Sequence, residues 1–157
     1  MTRYAQNTSV PVDRSRAEIE RTLARYGATG FGYQWERREV PVNPPRTYGP
    51  KTEQREYASI IFMFKDRRIR LDMPMPTERE AGSGARAEAA VRQRWRVLSL
   101  VIKAKLETVA SGISTLEAEF LANVVTEDGR TIGEVIVPKL TEAVRSGRLL
   151  PAHSEGA

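Results

Sequence analysis

Residues 85–110, ARAEAAVRQRWRVLSLVIKAKLETVA, are the stretch that decides the fold. Apolar side chains recur in it at intervals of three and four residues, which is the spacing of one face of an α-helix. A helix that is apolar on nearly every side must be covered by more than one element. We therefore expect a sheet on one side of it and the C-terminal segment on the other. The core stripe is Val91, Trp95, Leu98, Ile102, Leu106 and Val109, widened by Val97, Leu100, Val101 and Ala104.

Polar residues of this predicted helix fall on one narrow seam. Arg92, Arg96, Ser99 and Lys103 follow one another at helical spacing. Every other side of the helix is apolar, so we expect this seam to be the only part of the helix that meets solvent. If the helix contributes to binding, it does so through these four residues.

Three predicted strands precede the helix. In residues 29–36, TGFGYQWE, aromatic residues alternate with glycine or polar residues, so one face of the strand is aromatic and the other nearly bare. Residues 57–64 are apolar on both faces, which is typical of a central strand. Residues 68–73 alternate apolar and charged side chains, which predicts a half-buried strand with a charged outer face.

A proline-rich segment, residues 37–56, joins the first two strands. Pro41, Pro44, Pro45 and Pro50 cannot sustain a strand ladder or a helix interior, so the segment is predicted to be a loop. A loop of this length is either mobile or functional.

Capping patterns predict the remaining helices. Ser15 with Glu18 begins an N-terminal helix, and Ser114 with Glu117 begins a short helix after Gly112. Thr131 with Glu134 begins a final helix, which Pro138 kinks or shortens. A hairpin that pairs residues 124–125 with 131–132 across Asp128-Gly129 remains an alternative. The predicted fold is α+β: an N-terminal helix, a small three-stranded antiparallel sheet, a long central helix and one or two short C-terminal helices.

Composition limits the classes of function. A chain of 157 residues, 40% hydrophobic and 29% charged, fits a single domain over residues 1–157 with a loose tail at 151–157. Cysteine is absent and His153 is the sole histidine, which excludes disulfides, thiolate catalysis, a Ser-His-Asp triad and ordinary zinc sites. We expect no cofactor and no bound metal. Neither a membrane-spanning run nor a signal peptide is evident, so a cytoplasmic protein without membrane contact is expected.

Several segments resemble a known group of proteins. These are residues 14–20 (RSRAEIE) with 26–29 (YGAT), residues 95–107, and residues 120–133 with their EDGRT core. They resemble short proteins of unassigned function encoded by tailed phages and prophages. The resemblance spans most of residues 9–36 and 57–150, and the Pro-rich loop is longer here. It implies action in the host cytoplasm on nucleic acid or on host and defence components, and it brings no site residues with it.

Grouped basic residues favour nucleic-acid binding. The formal charge is +5, which suits acidic partners. A charged strand face, the turn before it and the helix seam could together form one positive surface that contacts phosphates of DNA or RNA without reading sequence. Tyr33 and Trp35 could stack bases, but an aromatic strand face is more typical of core. The predicted binding residues are Lys65, Arg67, Arg68, Arg70, Arg92, Arg96 and Lys103.

Two other classes of function remain open. An interaction protein that inhibits or recruits a host or defence factor, or sequesters an anionic ligand, would use the Pro-rich loop with Arg46, Tyr48 and Lys51. It could also form a homodimer through the apolar surface of the long helix. A metal-dependent nuclease would need converging carboxylates, for which Asp72 and Glu56 are the best pair. Charge pairing across strands explains Asp72 more simply, so we favour a non-catalytic protein.

Overall fold

A computed structural model describes residues 9–42 and 47–148 of the 157-residue chain. Within these ranges the fold is α+β, as the sequence predicts. None of the helices in them has the length and hydropathy that crossing a membrane requires. The predictions for Arg46 and for the tail 151–157 lie outside the described residues. The elements are α1 (Val12–Arg25), β1 (Ala28–Pro41), β2 (Thr52–Phe64), β3 (Arg67–Pro74), α2 (Glu78–Ala81), α3 (Ala85–Ala110), α4 (Leu116–Phe120), a 3-10 turn (Leu121–Asn123) and α5 (Ile132–Arg145).

The sheet has β2 at its centre, as predicted, with β1 and β3 antiparallel on either side. Tyr33 lies opposite Ile60, and Ile60 lies opposite Leu71, so these three side chains share one face. We call this the inner face, and the alternate residues form the outer face. The inner face carries Phe31, Tyr33, Trp35, Ala58, Ile60, Phe62, Ile69, Leu71 and Met73.

The first two strands continue well past the sheet into a two-stranded arm. Pairing runs on from Arg37 opposite Glu56 to Pro41 opposite Thr52. The prediction that all of residues 37–56 form a loop is therefore wrong, because only residues 42–51 connect the strands. Pro41 is tolerated because it ends an edge strand, where a missing N–H removes little of the ladder. The short helix α2 braces the arm through an ion pair of 2.7 Å between Arg55 and Glu80.

The core lies between the inner face of the sheet and the helices α1, α3 and α4. Trp95 of α3 is 1% exposed and packs edge-on against Tyr33, with ring centroids 5.6 Å apart. The Arg16 guanidinium of α1 lies over the same indole at 4.5 Å from its centroid. Phe120 of α4 is fully buried and packs edge-on against Phe62 at 5.8 Å. α3 and α4 thus contact the sheet through aromatic rings, and α1 does so through Arg16, which also lies 5.3 Å from the centroid of the Tyr33 ring.

The elements that pack against α3 differ in part from those that its sequence predicts. Its bounds, Ala85–Ala110, and its packing on the sheet are as expected. Its polar seam, however, faces α1: Ser99 is 2% exposed and Arg96 pairs with Glu18. Lys103 of the seam does meet solvent, but it is not alone, since Val101 on another side of the helix is 40% exposed. The C-terminal segment reaches α3 through α4, with Lys105 donating to the carbonyl oxygen of Glu119 at 2.6 Å.

Two of the three predicted capping boxes shift. α1 begins after Pro11, and Ser15 lies inside the helix, fully buried, rather than at its start. Thr115, not Ser114, caps α4 by accepting from the backbone N–H of Ala118. At α4 the choice lies between two adjacent residues of similar capping ability. At α1 no side chain caps the helix, which begins one turn earlier than the capping pattern predicts.

Thr131 and Glu134 form the predicted capping box of α5, and the helix continues through Pro138 to Arg145. The alternative hairpin is also partly present, because Val125 and Thr131 form an isolated antiparallel bridge. A second bridge, from Val124 to Ile69, attaches this turn to the edge of β3. The chain therefore makes a one-bridge hairpin and caps a helix with the same threonine.

Replacing Trp95 with alanine is expected to lower the free energy of unfolding by about 3 to 5 kcal/mol, because a fully buried indole leaves a cavity that its neighbours fill only in part. Urea denaturation followed by far-UV circular dichroism measures the loss without relying on tryptophan fluorescence. The matched control is Trp35→Ala, whose side chain is 48% exposed and should cost clearly less. Equal losses in the two variants would contradict the placement of the core.

Candidate nucleic-acid interface

Basic residues predicted to form one surface lie on two sides of the sheet. Arg68 and Arg70 extend from the outer face of β3, and Lys65 and Arg67 lie in and beside the turn before them. α3 packs on the inner face through Trp95. The sheet therefore separates the two halves of the predicted set. The half on α3 consists of Arg92, Arg96 and Lys103.

Half of the cations on the β3 side are already neutralised. Arg70 is ion-paired with Asp72 at 3.1 Å and with Glu134 at 2.8 Å, and it also donates to the carbonyl oxygen of Gly129 at 2.8 Å. Arg67 pairs with Glu117. Among the described residues, only Lys65 and Arg68 of this group make no ion pair. This side offers a polyanion little uncompensated charge.

Carboxylates considered for a nuclease site do not converge. Asp72 lies on the outer face, where it accepts from Ser59 at 2.7 Å and from Arg38 at 3.0 Å. Glu56 lies on the other face and pairs with Arg37 at 3.0 Å. Within residues 9–42 and 47–148, no group of three His, Asp or Glu side chains is placed to hold a metal ion. Asp72 thus has the cross-strand pairing role that the strand pattern suggests.

A second group of basic residues lies along the line where α1 and α3 meet, and two contacts show how these helices are aligned. Glu18 of α1 pairs with Arg96 of α3 at 2.5 Å, and the Tyr26 hydroxyl lies against the carboxylate of Glu107. The later residue of α1 contacts the later residue of α3, so the two helices run parallel. This hydrogen bond and burial raise the pKa of Tyr26 above its usual value.

The two helices carry polar residues at the same spacing along this line. Arg14, Glu18, Arg21 and Arg25 on α1 are separated by four, three and four residues. Arg92, Arg96, Ser99 and Lys103 on α3 repeat the interval, and the Glu18–Arg96 pair aligns the two series. Arg14 then lies level with Arg92, and Arg25 with Lys103. We call these eight residues the α1–α3 seam.

Most of the positive charge of the seam is free. Its eight residues include six cations and one carboxylate. Arg96 is engaged with Glu18, and Arg92 lies 4.0 Å from the exposed carboxylate of Glu88. Within the described part of the chain, the other four cations are exposed and make no ion pair: Arg14, Arg21, Arg25 and Lys103. Each row spans twelve residues, so its first and last members lie about 16 Å apart along the helix.

The sequence predicts only the α3 half of this seam. The arginines of α1 are interspersed with acidic residues, a pattern typical of an ordinary solvent-exposed helix face. The signal that identifies them is the shared interval of four, three and four residues in two distant segments. Recognising it requires knowing that the two helices are neighbours.

The aromatic strand face divides between core and surface. Tyr33 packs between Phe31 and Trp95, which fits the expectation of core. Trp35 is 48% exposed, with the Arg16 guanidinium 6.0 Å from its ring centroid. An arginine of the same chain therefore lies on the ring face that a base would need for stacking.

Comparison of the chain with models of protein families, with curated proteins and with solved structures gives no match.

Other predicted contact residues lie away from the seam. Tyr48 is 89% exposed and Lys51 is exposed, both near the tip of the β1–β2 arm, while Arg46 falls outside the described residues. On the outer face of the sheet, a shallow depression of about 410 Å³ forms where Gly32 leaves the strand bare. Arg68 stands at its border.

Burial raises the pKa of Tyr33 to about 12, and nearby Arg16 opposes the shift only in part. Because the folded pKa exceeds the unfolded value near 10, the stabilisation is complete below pH 10 and is lost as the pH rises toward 12. Spectrophotometric titration at high pH should show late tyrosine ionisation whose amplitude Tyr33→Phe reduces by one residue, while Tyr26, whose pKa is also raised, continues to ionise late. Tyr48→Phe is the matched control and should leave the amplitude of the late ionisation unchanged. An unchanged late amplitude in Tyr33→Phe would show that Tyr33 does not contribute to it.

Proposed function

We propose that this chain is a non-catalytic nucleic-acid-binding accessory protein of the phage type, and that it contacts the phosphate backbone through the α1–α3 seam. The observation that carries the proposal is the set of four exposed, unpaired cations along two aligned helices. Within the described residues none of the four makes an ion pair, so all four are available to the phosphates of a polyanion.

Geometry of the seam suits a backbone. Parallel packed helices lie about 8 to 10 Å apart, so the seam presents two rows of cations, each about 16 Å long. The phosphates of one strand rise by about 3.4 Å each along the axis of a duplex, so a seam of this length spans several of them. The helices present their sides rather than their ends, and the free side chains are arginine and lysine. Contacts of this kind position a nucleic acid without reading its sequence.

Binding should depend steeply on salt. If the four free cations each neutralise one phosphate, log K should fall with log salt at a slope of about −3.6 for duplex DNA and about −2.8 for a single strand. Fluorescence anisotropy with labelled single- and double-stranded oligonucleotides, over a salt series that starts near 50 mM, measures both slopes. Absence of binding at the lowest salt would exclude nucleic acid as the partner.

A paired substitution locates the interface. In Arg21→Ala/Arg25→Ala, the slope for duplex DNA should become shallower by about 1.8, since two phosphate contacts are lost. Both side chains are exposed and unpaired among the described residues, and alanine favours helix, so the fold should be retained. The matched control is Arg68→Ala, which removes an exposed, unpaired arginine from the outer face of the sheet. If Arg68→Ala changes the slope and the double variant does not, the interface lies beside β3 instead.

A further inference from the structure

The outer face of β1 lacks side chains at two successive positions. Gly30 lies opposite Met63 and Gly32 opposite Ile61, so these four residues share that face. Over the two glycines lies the depression of about 410 Å³, a volume within the range of small-molecule sites. The backbone of the glycines forms its floor, and Ile61 and Met63 from the neighbouring strand line one side. The core helices do not cover it, because they pack on the inner face.

Local structure does not require glycine at position 32. The φ angle of Gly32 lies outside the left-handed region, and a Cβ built there would meet no atom within 4 Å. Gly30 differs, because a Cβ there would lie 3.1 Å from Cγ of Met63 and the strand register shifts beside it. Glycine weakens a strand interior, and close approach of a ligand to the backbone is one reason for its presence there. Gly32 keeps the depression open, and a larger side chain would fill it.

The charge beside the depression is positive. Arg68, opposite Met63, is the one charged residue that lines it among those described, and it is exposed. Arg68 makes no ion pair within the described part of the chain. Arg70, by contrast, is held by Asp72 and Glu134. The guanidinium of Arg68 is therefore available to an anionic group of a ligand, and no carboxylate lines the depression to oppose it.

These features together define the chemistry of a ligand. A floor of bare peptide planes admits a flat ring, and the side chains of Ile61 and Met63 offer it apolar contact. An arginine pairs with a carboxylate through two parallel hydrogen bonds. We propose that the depression binds a small planar aromatic acid, with its ring over Gly30 and Gly32 and its carboxylate on Arg68. The proposal does not depend on nucleic-acid binding, because the depression and the α1–α3 seam lie on opposite faces of the sheet.

A titration of the full chain, labelled with ¹⁵N, tests the proposal by NMR. The probe is indole-2-carboxylate, a planar acid of about 12 non-hydrogen atoms, for which an open site implies a dissociation constant on the order of 1 mM. The amide signals of Gly30, Gly32 and Met63 should shift and saturate. Indole-2-carboxamide has the same ring without the charge. It should bind about threefold to tenfold more weakly, since it lacks the ionic hydrogen bonds to Arg68.

Two variants separate the floor from the charge. Arg68→Ala should weaken binding of the acid to the level of the amide and leave the amide unaffected. The matched control is Lys65→Ala, which removes another exposed cation without an ion pair among the described residues but outside the depression. It should bind the acid like wild type. Gly32→Val should abolish the shifts with both compounds, and it should fold, because valine favours strands and has open space there. Circular dichroism verifies the fold of each variant.

Several results would overturn the proposal. They are shifts that do not saturate up to about 10 mM acid, shifts confined to residues outside the depression, and unchanged binding in a folded Gly32→Val. Equal losses in Arg68→Ala and Lys65→Ala would refute the pairing with Arg68, since they would reflect overall charge alone. Arg21→Ala/Arg25→Ala should still bind the acid like wild type. Loss of binding in that double variant would place the acid on the α1–α3 seam instead.

Discussion

Trp95 packs edge-on against Tyr33 while Arg16 lies over the indole face, and this three-way contact joins α3, β1 and α1 at one point. Its existence depends on the alternation of glycine and aromatic residues in β1. A slip of one residue in the pairing with β2 would turn Gly30 and Gly32 toward the helices and expose the aromatic rings. The register of one strand therefore determines which side of the sheet the helices occupy.

The position of the charges follows from that constraint. Because α1 and α3 both pack on the aromatic side, their polar residues meet in the α1–α3 seam, and the Glu18–Arg96 pair aligns the two helices. Arg68 and Arg70 belong to the opposite face, where Arg70 is shared between Asp72 and Glu134. The pleat of β3 thus places Arg68 and Arg70 on the side of the sheet away from the seam.

Local patterns in the sequence predict most elements of the fold. The bounds of α3, the central position of β2 and the capping box of α5 each depend on residues close together in the chain. The predictions fail where contacts between segments distant in sequence determine the burial of a residue. Ser99 is predicted to be solvent-exposed because no neighbouring residue in the sequence indicates that α1 covers it. In the structure it is only 2% exposed. Ser15 has a good capping pattern, yet burial against the core places it inside α1.

The candidate site shows the same limit more sharply. Arg92, Arg96 and Lys103 follow from the periodicity of a single helix, whereas Arg14, Arg21 and Arg25 gain meaning only when α1 lies beside α3. α5 shows the same limit in another way. Its apolar residues recur at the spacing of one helical face. This pattern does not distinguish a helix packed into the core from one whose apolar side is exposed. Only the exposure of Ile136 and Leu140 separates the two.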